Sequence, residues 1–171
     1  MSPVTVAAVH ESGHSVARVR LGLPLYVARL DSSGGGEVLA VQGARGIRLA
    51  DAPGEAVRRL VEGIPETVRR TCVALLAGPV AEVLFLHGTG TEPALQELLD
   101  CSREDSGNLL SLMRARCSGE ESQEKMFTRE VNVTTRLVRR WWCDILAVAE
   151  VLEYRRVLTG DEISKIVKGA V

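Results

Sequence analysis

The stretch VTVAAVHESGHSVARVRL, from Val4 to Leu21, decides the fold, because reading it as a helix fixes where its polar residues must point. Alanines and valines recur through it, Ser2 and Pro3 suit a cap and a first turn, and Gly22 to Pro24 stops it. At about 100° per residue, His10 and His14 stand about 40° apart and one turn above the other. Both imidazoles then reach one point beside the helix.

The run from His10 to His14 is an H-E-x-x-H pattern. Zinc held by two neutral imidazoles and a third protein ligand keeps an open position for water and lowers the pKa of that water towards ~7. Glu11 projects to the side of the pair, where a carboxylate serves as general base rather than as ligand. The plainer reading of the same residues is a solvated helix face whose imidazoles pair with neighbours. Two of the three histidines in the chain fall in this pattern, and the third, His87, suits a partner for the C-terminal end of a helix.

Composition bounds what can surround that helix. The chain has 171 residues, 46% apolar and 25% charged, enough to bury a core without disulfides or a structural metal, so a single domain over residues 1–171 is expected. A net charge of −1 argues against a dedicated nucleic-acid binder, although arginine supplies 18 of the 21 basic residues. The N-terminal residues have no basic leader of the export type. The most apolar run, Cys72 to Leu86, is interrupted by Gly78, Pro79 and Glu82 and falls short of the ~20 residues of a membrane span, which predicts a buried helix. Cys72, Cys101, Cys117 and Cys143 show no C-x-x-C spacing, which suits reduced thiols in a cytoplasmic protein.

Outward from the first helix, Leu25 to Leu30 and Glu37 to Val41 are β-leaning around a Gly/Ser turn at Ser32 to Gly36, and Gly46 to Leu49 is a candidate third strand. Asp51 to Pro65, broken by Pro53, Gly54, Gly63 and Pro65, reads as a linker. From Glu66 the apolar spacing is helical up to Gly88, with a bend or a restart at Pro79. Another helix is expected from a Ser102/Asp105 capping box to Gly119.

Val131, Thr134, Val138, Trp141, Ile145, Val148 and Leu152 alternate three and four apart, the stripe of one long helix. That stripe reads as core, or alternatively as a subunit interface. Thr159 and Glu162 form a second capping box ahead of a terminal helix. The fold class is therefore mainly α, α+β in detail: a bundle of four or five helices around a small sheet or hairpin.

The motifs in this order resemble those of the FtsH-type zinc peptidases, the protease domain of membrane-bound AAA proteases. HESGH at His10 to His14 looks like the HEAGH helix of that family, and AGPVAEVLF at Ala77 to Phe85 is similar to its GGRAAEELIFG helix, with Pro79 where the family has arginine. Ser102 to Asp105 stands where the family has an SND tripeptide, and LTGDEI at Leu158 to Ile163 is similar to the closing L-x-G-x-E-I. By resemblance, Asp105 completes a zinc site with His10 and His14. Glu82, on the downstream helix, is the competing third ligand, or else a partner for an arginine.

The resemblance also implies a polypeptide substrate and a ring-shaped homo-oligomer. The family carries an ATPase module, but the sequence has no G-x-x-x-x-G-K-[ST] motif, so extended or unfolded chains are the expected substrates, with an ATPase partner in trans as the other route. The stretch Glu37 to Val41 suits an edge strand that a peptide could extend, or an ordinary half-buried strand. Together these expectations describe a zinc metalloendopeptidase with one zinc per chain. The alternative is a catalytically weak module of the same fold that binds an ATPase or chaperone.

Overall fold

The computed structural model describes residues 4–39, 54–101, 103–116 and 120–169. Its first helix, α1 (Val6–Arg20), occupies the centre: every residue from Ala8 to Ala17 is buried, including both histidines and Glu11. The cap is Thr5 rather than Ser2, its hydroxyl accepting from the Ala8 amide at 3.3 Å. Arg18 and Arg20 sit in the last turn, where they oppose the negative end of the helix dipole.

The hairpin forms as expected, with β1 (Val27–Leu30) antiparallel to β2 (Gly36–Leu39) and Leu30 opposite Gly36. Its turn is held by the Asp31 carboxylate, which accepts from the amides of Ser33 and Gly35, while Gly34 takes a φ of 92°. The third strand comes from the far end of the chain, where β3 (Val157–Thr159) pairs antiparallel with β1 to give the order β2-β1-β3. The expected strand at Gly46 to Leu49 lies outside the described residues.

Helix α2 (Gly54–Gly63) replaces the expected linker, because its glycines stand at the two ends and Pro65 opens the next helix at a position where a missing N–H costs nothing. That next helix, α3 (Pro65–His87), runs through Pro79 as one element and packs along α1. The crossing is close because Gly13 faces the Ala77 carbonyl, and a Cβ at Gly13 would sit 2.5 Å from that oxygen. At 23 residues α3 is longer than the apolar run read from the sequence and is long and apolar enough to cross a membrane, but most of it is buried within the protein, as in a core helix.

A short helix not anticipated from the sequence, α4 (Leu95–Cys101), leads into α5 (Arg103–Arg116), while Ser102 and Gly119 lie outside the described residues. The predicted single long helix divides into α6 (Glu120–Arg140) and α7 (Trp142–Arg155). The Trp141 amide there reaches the carbonyls of both Leu137 (2.9 Å) and Val138 (3.1 Å), tightening one turn without losing the stripe. All seven stripe residues are buried within the chain, as the core reading requires.

Helix α8 (Gly160–Val167) closes the fold behind the Thr159/Glu162 capping box, with both reciprocal bonds formed. The described residues therefore form a mainly helical fold of eight helices with one small antiparallel sheet, more helices than the four or five expected. Cys72, Cys101 and Cys143 are free thiols, the first buried, the second half-buried and the third exposed, and Cys117 lies outside the described residues.

Candidate metal centre

Three helices bring the site together. Helix α1 supplies His10, Glu11 and His14, α3 packs beside it and supplies Glu82, and α5 supplies Asp105 from beyond α3. Nε2 of His10 and Nε2 of His14 lie 3.1 Å apart, and Oδ2 of Asp105 lies 3.1 Å from His14 and 3.4 Å from His10. The imidazoles meet edge to face, with ring centres 4.8 Å apart.

The outer nitrogens determine the chemistry of this triangle. Nδ1 of His14 lies 2.7 Å from the Ala74 carbonyl, which can only accept, so that nitrogen carries the proton. Nδ1 of His10 lies 2.7 Å from the Glu82 carboxylate, and the same argument applies. With neutral rings, each Nε2 is then a bare lone pair. Two lone pairs and a carboxylate oxygen face one another at 3.1–3.4 Å, an arrangement of acceptors that requires a positive charge among them.

A metal ion fits that requirement in size as well as in charge. Ligands on a tetrahedral centre with bonds of about 2.0–2.1 Å stand about 3.3–3.4 Å apart, close to the distances in this cluster. His10, His14 and Asp105 thus form a group able to hold a metal ion. The fixed tautomers, each stabilised by an acceptor behind the ring, are the arrangement that orients imidazole ligands.

Without a metal, protons take over this role. Burial disfavours charge on His10, but its hydrogen bonds to Asp105 and Glu82 and the field of Glu11 outweigh it and push the pKa up to about 10. For Asp105 burial works in the opposite direction; the charge of His14 and the bonds to both histidines override it and hold the carboxyl well below the usual range. Glu11 shifts upward, mainly through burial, against the pull of His14 and His10. Its carboxylate lies outside the donor group but within the field of both imidazoles.

Glu11 is confined by the sheet. A Cβ at Gly36, the first residue of β2, would sit 2.5 Å from Cγ of Glu11 and 2.9 Å from the Arg29 carbonyl. Only a glycine lets the strand pass this close. Among the described residues β2 stands at one end of the sheet order, with its first residue against Glu11.

The structure unites all four expected residues, His10, Glu11, His14 and Asp105. It separates the alternative ligands, since Asp105 joins the donor triangle while Glu82 lies behind His10 and pairs with its imidazole, with no arginine partner among the described residues. His87 ends α3, 3.0 Å from Glu97, away from the cluster. Sequence reasoning missed the Ala74 carbonyl, which a side-chain pattern cannot reveal, and missed Gly36, whose only signal is a glycine opening an edge strand. No family model matches the chain, and no curated protein matches it.

Proposed function

We propose that this protein is a zinc-dependent metalloendopeptidase that acts on extended or unfolded polypeptides, with Glu11 as general base. The observation that carries the reading is the convergence of three acceptors, His10 Nε2, His14 Nε2 and Asp105 Oδ2, beside a buried carboxylate that is not one of them. Two nitrogens and one carboxylate oxygen are the donor set of hydrolytic zinc rather than of calcium or magnesium, which prefer oxygen throughout. Zinc bound there would supply Lewis acidity, polarising a peptide carbonyl and acidifying water.

The remaining steps belong to the chain. Burial of Glu11 raises its proton affinity, so that it can take a proton from attacking water and return it to the leaving amine. Glu82 and the Ala74 carbonyl keep a proton on each Nδ1 and aim each Nε2 inward. Strand β2, at the end of the described sheet order and beside Glu11, would hold an extended peptide by main-chain hydrogen bonds, which favours chains already unfolded. With an ATPase partner in trans, folded proteins would become substrates too. The likeness of the HESGH, AGPVAEVLF and LTGDEI segments to FtsH-type peptidases supports the same reading.

The test is elemental analysis together with cleavage of unfolded casein. About one zinc per chain is expected, with cleavage that disappears in Glu11→Gln while zinc is retained. Zinc without cleavage would favour the non-catalytic module that binds an ATPase or chaperone. A protein that takes up no zinc would be neither.

A further inference from the structure

Ala74, Gly78 and Glu82 lie four residues apart on α3 and so form one stripe along that helix. The outer two accept from the Nδ1 atoms of His14 and His10, each at 2.7 Å. Gly78, between them, faces the His14 ring: a Cβ there would lie 2.3 Å from Nε2 and 2.6 Å from each adjacent ring carbon. Its backbone does not call for glycine, because Gly78 is helical and absent from the residues with positive φ. Alanine is the stronger helix former, so the missing side chain serves space.

We propose that Gly78 is the positioning residue of the metal site: its bare Cα lets His14 bring Nε2 to the point where it meets His10 and Asp105. This rests on the metal reading above and adds that α3, as well as the HESGH helix, determines whether an ion can bind. Ordinary contact begins at 3.4 Å, so a methyl at 2.3 Å moves Nε2 by about 1.1 Å, several times the ~0.2 Å tolerated in a ligand position. The ring cannot turn aside without giving up its bond to the Ala74 carbonyl.

The experiment titrates Co2+ into wild type, Gly78→Ala, Glu82→Gln and Glu82→Ala, reading visible absorption, with circular dichroism and melting of the metal-free proteins alongside. Gly78→Ala is expected to bind cobalt on the order of 100-fold more weakly while keeping its helical signal. Glu82→Gln, which preserves an acceptor for His10, should stay close to wild type, and Glu82→Ala should lose about 10–100-fold. Gly78→Ala with wild-type affinity overturns the proposal.

Should Gly78→Ala unfold, the double variant His14→Ala/Gly78→Ala decides the matter without metal. If the methyl clashes only with the imidazole, the double variant melts with His14→Ala alone; if it remains destabilised, Gly78 is needed for something else and the proposal fails. A wild-type protein that binds no cobalt refutes the proposed function, and the melting comparison still tests the contact between Gly78 and His14.

Discussion

Gly36→Ala should separate metal binding from turnover. The added methyl would stand 2.5 Å from Cγ of Glu11, 3.0 Å from Cδ and 2.9 Å from the Arg29 carbonyl, where ordinary contact begins at 3.4 Å. The carbonyl belongs to β1, one residue from the Leu30–Gly36 pairing, and cannot retreat without opening the ladder. Glu11 must therefore yield, by about 0.9 Å from the difference between 3.4 and 2.5. A misplacement of about 1 Å costs on the order of 100-fold in rate, or about 2.7 kcal/mol of barrier. The donor triangle does not include Glu11, so zinc content should be unchanged.

The assay is steady-state cleavage of an unfolded fluorogenic peptide by zinc-loaded protein, with kcat and KM separated and zinc measured on the same samples. The loss should fall on kcat, and in a Glu11→Gln background the same substitution should add little, because the two act through one carboxylate. A Gly36→Ala protein within twofold of wild-type kcat would refute the reasoning, and so would one whose zinc falls in step with its activity.

Zinc should stabilise the fold, because its ligands come from α1 and α5, which the unfolded chain does not hold together. At 100 times Kd the gain is about 2.7 kcal/mol, roughly 5–11 °C in melting temperature, and chelator or Asp105→Ala should abolish it; a melting temperature indifferent to zinc would contradict the site. The terminal capping box predicts acid sensitivity. Bonds from the Thr159 amide at 2.8 Å and its hydroxyl, with Arg155 alongside, hold Glu162 down at about 2. Its folded pKa lies below its unfolded value of about 4.5, so the stabilisation is complete above that value and lost as pH falls towards about 2. Thermal melts across this window should decline more steeply for wild type than for Glu162→Gln, and parallel declines would show that the box does not titrate.

How far the fold could be read in advance depended on whether each signal was local. Helices α1 and α3 carry long apolar patterns, and α8 carries its own cap, so each could be read from adjacent residues. Gly54, Gly63 and Pro65 misled because breaker residues mark helix boundaries as well as linkers, and here they bracket α2. Three residues, Val157 to Thr159, carry no alternation; they become a strand because β1 offers them an open edge from the other end of the chain. The division at Trp141 was invisible because its stripe continues across it and every stripe residue remains buried.

The site was legible in its spacing but not in its orientation. That His10 and His14 share one side of a helix follows from four residues of separation, but which nitrogen faces inward depends on acceptors supplied by α3. This is why Glu82 and Asp105 could not be distinguished as side chains in a list: both are carboxylates that approach His10, one at Nδ1 and one at Nε2, on opposite edges of the ring. Only the edge already freed of its proton can bind a cation. The carboxylate behind the ring, by holding the proton on Nδ1, makes the one in front a ligand, and loss of Glu82 should therefore weaken metal binding without removing a single donor atom from the triangle.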